Sequence, residues 1–439
     1  MRAEKTARTN ARAEAARDVA QVIGRGRSLD RVLHESPRTG RDGALVAELT
    51  IGSVRHWYSL CAAIDACVSR SLDRRDVLLR CLLVVGAYQL LHTRIPAYAA
   101  VSETVAAAPR IGRTSAKGLV NQVLRALSTR CADPSWRPDD GSDPVRFDHP
   151  QWLIDRLRAQ LPSEWERVLA VDNLRAPMAL RVNRRRVEPE IFRARLDAQG
   201  IAHRRGLTAT AIILDRPQPT ASLPGFADGW FTVQDEGAQL AADVLDPRTG
   251  ERVLDACAAP GGKAGACLEA AEIDLVALEI DDARCESTRR ELRRLGFDAA
   301  CVTRGDATSL DWWDGRTFSR VLVDAPCSGT GTLRRHPDIK LLKHADDIDA
   351  YRAIQSKLLG NLWRVLEPGG RLVYCTCSIL HEENDAVVGG FLAAHSDADL
   401  ARIDASWGQP TAYGRLTLPS DAGPDGFYFA AVTKAARGA

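Results

Sequence analysis

Two short motifs, Asp324–Cys327 (DAPC) and Thr376–Ser378 (TCS), place cysteines among residue types that favour loops. Each follows an apolar run that predicts a strand, Arg320–Val323 for the first and Arg371–Tyr374 for the second. Pro, Ser, Gly and Thr surround both cysteines, so the thiols are predicted in loops rather than in the core. A thiol that is exposed and activated is a nucleophile, and the two motifs therefore predict a nucleophile site.

The segment between the motifs predicts how the two strands are arranged. It contains the glycine-rich Gly329–Gly331, the basic Arg334–Pro337 and an amphipathic helical pattern over Asp346–Leu366, which Glu367–Gly370 ends. A helical crossover lays the strands that it joins parallel. Both motifs would then lie at carboxyl ends of strands, where open α/β sheets bind ligands.

Structural and metal-binding roles are the two alternatives to a nucleophile for these cysteines. Most of the 11 cysteines fit small buried side chains, and their odd number and irregular spacing indicate free thiols in a reducing cytoplasm. Zinc binding is disfavoured, because Cys375 and Cys377 do not form a two-residue knuckle and no second Cys/His pair follows at ligand spacing. No metal is therefore expected. Strand alternation places Cys375 on the same face as Cys377.

Length and composition describe a globular chain of several domains. The 439 residues predict two or three domains, since one core does not grow to this size. No apolar run approaches the roughly 20 residues of a membrane helix. The chain opens with a polar, basic stretch that lacks the apolar region of a secretion signal. A cytoplasmic protein with no membrane partner is predicted.

Charge is distributed unevenly along the chain. Residues 1–130 contain 21 Lys and Arg against 11 Asp and Glu, whereas the remainder carries 38 against 46. A basic front joined to an acidic remainder indicates that the front contacts a polyanion. A solvated arginine-rich surface explains the charge equally well.

The front of the chain is predicted to be an all-α bundle of six or seven helices. Its amphipathic segments are Ala13–Ile23, Gly43–Trp57, Leu60–Val68, Arg75–Leu91, Ser102–Pro109 and Ala116–Leu127. Ser102 is a candidate helix cap after Ile95-Pro96. The bundle contains no metal spacing and no dinucleotide loop, which leaves binding or packing as its role.

The predicted domain limits are 1–132 for this bundle, 133–148 for a Pro- and Asp-rich linker, 149–233 for a small α+β module and 234–439 for a doubly wound α/β domain. The small module is locally basic because of arginines between Arg181 and Arg205. In the last domain, strands and helices alternate from Val253–Asp255 to the terminal Gly426–Val432.

The first loop of that domain, Cys257–Lys263, is a compact glycine turn. It is not a phosphate-binding P-loop, because Cys257 and Ala264 occupy the places of the first Gly and of the hydroxyl residue. Glu279 ends the next strand and can accept both hydrogen bonds of a ribose diol. Asp306 follows the third strand and can accept from an adenine amino group. This spacing suits an adenosine ligand without a pyrophosphate, and S-adenosylmethionine is the commonest of that kind.

These residues resemble the signatures of the Sun-type RNA (cytosine-5)-methyltransferases. The matching stretches are Asp255–Lys263, Asp324–Gly331, Arg334–Asp338, Thr376–Ser378 and Glu382–Asn384. The front, with Ile95–Val105, resembles the NusB-like RNA-binding domain that some members of the family carry before this core. Departures from the family pattern are Ala264, Glu279, Cys375 and His381, and none of them removes a catalytic group.

The resemblance implies transfer of a methyl group from S-adenosylmethionine to carbon 5 of a cytosine. It implies that Cys377 is the attacking nucleophile, that Cys327 assists release and that Asp324 bonds the cytosine edge. It also places Cys257, Ala258, Ala259, Pro260, Gly261, Gly262, Lys263, Glu279, Asp306 and Asp324 at the cofactor. The NusB-like front implies small-subunit (16S) rRNA as substrate.

Two rival hypotheses remain. One is a tRNA-directed relative, and the other is an inactive RNA-binding assembly factor. The second is disfavoured because both cysteines, Asp324 and the glycine turn are intact. An amino-group methyltransferase is also disfavoured, because such enzymes carry an Asn/Asp-Pro-Pro-aromatic loop where Asp324–Cys327 stands.

Overall fold

The computed structural model describes residues 10–35, 40–68, 76–133 and 135–436, with Gly40 and Arg41 described by their backbone. Its α-helices are α1 (Ala11–Arg25), α2 (Leu29–Glu35), α3 (Gly40–Arg55), α4 (Trp57–Asp65), α5 (Val77–His92), α6 (Ala97–Ala107), α7 (Lys117–Arg130), α8 (Asp143–Phe147), α9 (Gln151–Gln160), α10 (Trp165–Asp172), α11 (Pro189–Ala198), α12 (Glu236–Leu245), α13 (Gly262–Ala270), α14 (Asp282–Leu295), α15 (Ile339–Leu342), α16 (Asp347–Val365) and α17 (Asp385–Ala394).

The strands are β1 (Met178–Val182), β2 (His203–Arg205), β3 (Ala211–Leu214), β4 (Phe231–Val233), β5 (Arg252–Asp255), β6 (Asp274–Glu279), β7 (Cys301–Arg304), β8 (Phe318–Asp324), β9 (Leu366–Thr376), β10 (Ala398–Ala401), β11 (Gln409–Pro410), β12 (Arg415–Thr417) and β13 (Phe427–Lys434). Two compact units contain these elements. The first comprises residues 1–174 and 333–344, and the second comprises 175–332 and 345–439.

The first unit is helical, as the sequence predicts. Helices α1 to α7 enclose an apolar core to which α1 and α5 contribute many side chains. Helix α1 begins at an Asn10 cap, whose side chain accepts from the backbone N–H of Arg12 and Ala13. It ends at Gly26, whose φ of +64° suits glycine.

Several predicted boundaries in this unit are wrong. Helix α6 begins at Ala97 rather than at Ser102, because Pro96 supplies a fixed φ before a run of good helix formers. Ser102 therefore lies inside the helix, where its hydroxyl donates to the Ala99 carbonyl at 3.4 Å. Helix α5 is described from Val77, and its predicted start at Arg75 lies outside the described residues.

The predicted linker 133–148 is structured at its end. It contains α8, and the Asp148 carboxylate that follows is buried. That carboxylate accepts from the Ser59 N–H at 2.8 Å and from the Ser59 hydroxyl at 2.9 Å, and it lies 3.0 Å from His56 Nδ1. Helices α9 and α10 lie within the predicted limits 149–233 of the small module and belong to the first compact unit.

The basic segment that the sequence places between the two cysteine motifs packs within this first unit. Arg334 and Lys340 are buried, the Arg334 carbonyl accepts from Arg55 at 2.9 Å, and the Asp338 carboxylate accepts from the Leu29 N–H at 2.9 Å. Lys340 Nζ donates to the Asn173 side-chain oxygen at 2.5 Å. Burial lowers the pKa of Lys340 to about 8, against the opposing effect of nearby carboxylates.

The second unit contains the small module and the large sheet. The module's described strands form an antiparallel sheet in the order β2-β3-β1-β4, and α11 packs on it through Phe192, which stacks on Phe231. In the large sheet the order is β11-β12-β13-β9-β8-β5-β6-β7, with β10 beside β13. Strands β5 to β9 are parallel, and β13 is antiparallel to β9.

This topology confirms the predicted doubly wound domain and the parallel crossover through α16. The chain runs outward from β5 through β6 to β7 and then returns to place β8 on the other side of β5. The boundary between β5 and β8 is therefore a switch point, and the loops that follow these strands diverge there. They are the glycine turn and the DAPC motif.

A buried ion pair joins the small module to the glycine turn. Arg181 on β1 donates to both Glu269 oxygens on α13, at 2.7 and 2.8 Å, and to the Gly262 carbonyl at 2.6 Å. The two side chains are only 3% and 6% exposed. These bonds tie strand β1 of the small module to the glycine turn within the second unit.

We expect Arg181→Met to lower the free energy of unfolding by about 3–5 kcal/mol, because it leaves the Glu269 carboxylate buried without a cation. Arg185→Met is the matched control. Arg185 lies 3.6 Å from Glu272 in a pair that is 36% and 77% exposed, and its loss should cost about 1 kcal/mol or less. Urea denaturation of both variants measures the difference, and equal midpoints would refute a supporting role for the buried pair.

Candidate functional site

The two predicted cysteines lie next to each other. Cys327 follows β8 and Cys377 follows β9, and the parallel register that pairs Asp324 with Cys375 brings the two loops side by side. The sulfur atoms are 3.4 Å apart, neither cysteine forms a disulfide, and both are partly accessible. The contact is a hydrogen bond between sulfur atoms at the carboxyl edge of the sheet.

The environment of Cys327 keeps this residue in its thiol form. Its hydrogen bond with Cys377 raises the pKa of Cys327 well above the usual value, and burial and the nearby charge of Glu383 act in the same direction. A protonated Cys327 can donate its S–H to the Cys377 sulfur. Either sulfur can be the donor of this hydrogen bond, and the raised pKa of Cys327 makes its S–H the available proton.

Asp324, at the end of β8, is held from two sides. Its Oδ2 accepts from Lys263 Nζ at 2.5 Å, and its Oδ1 lies 3.6 Å from the Cys375 sulfur. Burial is the largest single effect and lowers the pKa of Lys263, but Asp324, Cys375 and Cys377 together outweigh it and raise this pKa. Lys263 therefore stays protonated, and its hydrogen bond fixes the orientation of the Asp324 side chain.

Cys375 is less exposed than Cys327 and Cys377. It is fully buried in β9, and burial raises the pKa of Cys375 well above the usual value, with the Asp324 charge acting in the same direction. A buried thiol of this kind is a poor nucleophile. Its contact with Asp324 makes it part of the packing beneath the site.

The glycine turn Cys257–Lys263 is fixed to the neighbouring strand. The Ala258 N–H donates to the Leu278 carbonyl at 2.9 Å, and Gly261 has a φ of +100° that other residues rarely adopt. Helix α13 begins directly after this residue, so its first backbone N–H groups point towards the turn. Burial raises the pKa of Cys257, which therefore remains a thiol.

The two predicted acids follow adjacent strands. Glu279, at the end of β6, is buried, and its Oε1 accepts from the N–H groups of Ile280 and Asp281 at 3.0 and 3.2 Å. Asp306, after β7, is exposed and accepts from the Thr308 N–H at 2.8 Å. The Gly305 N–H donates to the Glu279 carbonyl at 3.0 Å, which holds the two strand ends together. Carboxylate acceptors beside a glycine turn fit the hydroxyl and amino donors of an adenosine group.

The structure also contains polar groups to which the sequence analysis gave no role. Asp255, at the end of β5, is buried with both carboxylate oxygens unpartnered, and burial raises the pKa of Asp255 to about 7. Glu383 is buried beneath the two cysteine loops. The Glu382–Asn384 motif drew attention to Glu383, but only the packing of the loops shows what its side chain contacts.

The part of the chain that the structure describes contains neither a membrane-spanning helix nor a metal-binding cluster. None of its helices combines the length and the apolar character needed to cross a membrane. Its His, Cys, Asp and Glu side chains form no group of three or more with the arrangement of a metal site.

A parallel sheet with a switch point between β5 and β8 and with acids at successive strand ends defines the Rossmann-like methyltransferase class. Comparison with known proteins supports this class and refines it. Residues 242–433 match the family model described as 16S rRNA methyltransferase RsmB/F, residues 149–221 match the ferredoxin-like domain of RsmF/B-like methyltransferases, and residues 9–129 match the NusB family.

Relatives match nearly the whole chain. The ribosomal RNA small subunit methyltransferase B of Pseudomonas syringae pv. tomato is 42% identical, over 90% of this chain and 90% of its own. The protein of the same name from Pseudomonas putida is 41% identical, over 97% and 99%. A crystal structure of a methyltransferase homologue from Pyrococcus horikoshii is 27% identical, with a TM-score of 0.60 over 66% of this chain and 97% of that one. The chain belongs to the RsmB/F family of RNA methyltransferases.

Proposed function

We propose that this protein transfers a methyl group from S-adenosylmethionine to carbon 5 of a cytosine in small-subunit (16S) rRNA, through a covalent adduct on Cys377. The observation that supports this proposal most strongly is the 3.4 Å pair of thiols beside the Asp324–Lys263 ion pair. The relatives named above are small-subunit rRNA methyltransferases, which supports the choice of RNA.

The chemistry explains why a thiol is needed. Carbon 5 of cytosine is a poor nucleophile, because the aromatic ring withdraws its electrons. Addition of the Cys377 thiolate to carbon 6 breaks the double bond between carbons 5 and 6 and makes carbon 5 enamine-like. After carbon 5 is methylated, loss of its proton and expulsion of the Cys377 sulfur from carbon 6 restore the double bond.

Asp324 would bond the edge of the cytosine ring and stabilise the protonated adduct. Its orientation by Lys263 means that this bond costs little reorganisation during the reaction. The target base has to leave any stacked arrangement before the sulfur can reach its face, so the substrate is a flipped or single-stranded cytosine.

Cys327 would assist the release of the methylated RNA. As a thiol 3.4 Å from the Cys377 sulfur, it can give a proton to that sulfur as the bond to carbon 6 breaks. Protonation turns Cys377 into a better leaving group and prevents its immediate return to carbon 6.

S-adenosylmethionine supplies the methyl group as an electrophile when it is bound. The residues proposed to hold it are the glycine turn, Glu279 and Asp306, with Asp324 lining the pocket. Glu279 would accept from the ribose hydroxyls, and Asp306 would accept from the adenine amino group. The helical first unit and the arginines of the small module would contact RNA phosphates, and the reaction would take place in the cytoplasm.

Glu279→Ala is expected to weaken S-adenosylmethionine binding by about tenfold to a hundredfold, since it removes a charged acceptor of two hydrogen bonds. Isothermal titration calorimetry with the cofactor measures the effect. Glu286→Ala on α14 is the matched control, because it removes an exposed acid and should leave the affinity unchanged. Unaltered affinity in Glu279→Ala would show that this acid does not hold the ribose.

The proposed function is tested by incubating the protein with labelled S-adenosylmethionine and deproteinised small-subunit rRNA, with tRNA in a parallel reaction. We expect label in the rRNA alone, recovered as 5-methylcytosine after nuclease digestion. Label in tRNA alone would establish the tRNA-directed activity instead. Cofactor binding without transfer to either RNA would contradict the proposal for free rRNA and would direct the assay to partly assembled subunits.

A further inference from the structure

Glu383 lies beneath the two loops that carry the reacting cysteines. It is 0% exposed and follows Cys377 by six residues, in the short helical turn His381–Glu383. The donors to its carboxylate are Ser328, Ser378 and Gln355.

The carboxylate receives hydrogen bonds from both cysteine loops. Its Oε1 accepts from the Ser328 N–H at 2.8 Å and from Gln355 Nε2 at 3.2 Å. Its Oε2 accepts from the hydroxyls of Ser328 and Ser378, both at 2.5 Å. Ser328 and Ser378 directly follow Cys327 and Cys377 in the sequence, so each cysteine is one residue away from an anchored position.

Further hydrogen bonds join the Cys327 loop to the Cys377 loop. The Thr330 hydroxyl lies 3.1 Å from the Ser378 hydroxyl and accepts from the Ile379 N–H at 3.2 Å. The Gly331 N–H donates to the Cys377 carbonyl at 2.8 Å. The two loops thus form one hydrogen-bonded body, and the Glu383 carboxylate is the acceptor at its centre.

We propose that Glu383 is the positioning residue of this site, which holds the Cys327 and Cys377 loops in the register that brings their sulfur atoms together. This inference rests on the proposed function, because it concerns how the two thiols cooperate in that reaction. A carboxylate suits this position because its two oxygens offer about four lone pairs, which can accept all four hydrogen bonds.

The charge of Glu383 has a second effect on the pair. The pKa of Cys327 is raised by its hydrogen bond to Cys377, then by burial, and also by the negative charges of Cys377 and Glu383. Removal of the Glu383 charge should therefore lower the pKa of Cys327. The thiol would lose its proton at a lower pH and would no longer serve as a donor there.

Glu383→Gln tests both effects, because the amide keeps the volume but removes the charge and replaces the oxygen that accepts from the Ser328 and Ser378 hydroxyls with a donor group. We expect kcat for rRNA methylation to fall by about tenfold to a hundredfold, while KM for S-adenosylmethionine stays within about twofold of the wild-type value. In a plot of kcat against pH, the loss of activity at alkaline pH should begin at a lower pH, because the pKa of Cys327 is lowered. Glu367→Gln, at the start of β9 and far along the strand from the site, is the control and should retain wild-type kinetics.

A wild-type kcat and pH profile in Glu383→Gln would overturn the inference. A fall in kcat with an equal loss of cofactor affinity and no change in the pH profile would also overturn it, since it would indicate a general structural defect. If Glu383→Gln does not fold, Ser328→Ala removes one donor and should lower kcat by about threefold to tenfold, and an unchanged kcat would refute the anchoring. Failure of the wild-type protein in the same assay would instead count against the proposed function.

Discussion

Cys377→Ala is expected to abolish methylation of small-subunit rRNA, with a loss of kcat of about a thousandfold or more. The reason is that carbon 5 of cytosine does not react until a nucleophile has added to carbon 6, and no other thiol can take that role. Burial still raises the pKa of Cys327 when the hydrogen bond to Cys377 is lost, and Cys375 is buried in β9. The measurement is transfer of labelled methyl to rRNA under single-turnover conditions.

Cys301→Ala is the matched control for this variant. Cys301 is an exposed cysteine at the start of β7, and its removal should leave the rate unchanged. Binding of S-adenosylmethionine to Cys377→Ala should also be unchanged, because the proposed cofactor residues lie in other loops. Substantial methyl transfer by Cys377→Ala would show that the attacking group is a different one.

Cys327→Ala is expected to stop the reaction at a later stage. Attack by Cys377 and methylation should proceed, but release should slow so far that less than about one product forms per protein molecule. The methylated RNA would remain covalently bound, and a band of protein joined to RNA would appear on a denaturing gel. The physical reason is the loss of the proton donor that lies 3.4 Å from the Cys377 sulfur.

The double variant Cys327→Ala/Cys377→Ala is the control for the gel band, which should disappear when the attacking sulfur is absent. Free methylated RNA produced by Cys327→Ala at the wild-type rate would contradict the release role. Loss of turnover in Cys327→Ala without any band would also contradict it, since it would place Cys327 before the attack.

Much of the catalytic domain could be predicted from local patterns. Strands and helices alternate with clear periods, so the carboxyl strand ends, and with them Asp324, Cys327 and Glu279, could be assigned from the sequence. The parallel order of β8 and β9 followed from the helical crossover alone. The glycine turn could be separated from a P-loop because the required residues are missing from it.

Contacts between distant parts of the chain could not be predicted in this way. The placement of Arg334 to Lys340 within the first compact unit depends on partners such as Leu29 and Asn173, which lie more than 160 residues away. The pairing of Lys263 with Asp324 likewise joins two loops whose approach depends on strand order. Short strands such as β10 to β12 give no periodic signal, because each spans four residues or fewer.

The start of α6 shows a different source of error. Ser102 has the residue type of a helix cap, but Pro96 and the alanines after it start the helix one and a half turns earlier. Local preference for a cap was outweighed by a proline with a suitable φ followed by strong helix formers. The buried Asp148 shows a further limit, since a Pro- and Asp-rich stretch predicts a linker until its partners Ser59 and His56 are known.

The most direct test of the covalent mechanism identifies the atom to which the RNA is attached. The Cys327→Ala protein is incubated with small-subunit rRNA and S-adenosylmethionine, the denatured complex is digested with nuclease and protease, and the peptide that carries the nucleotide is sequenced by mass spectrometry. We predict a methylated cytidine on Cys377, with fragment ions that exclude Cys375 in the same peptide. A nucleotide on Cys375, or methylated rRNA with no protein adduct at any time, would contradict the account.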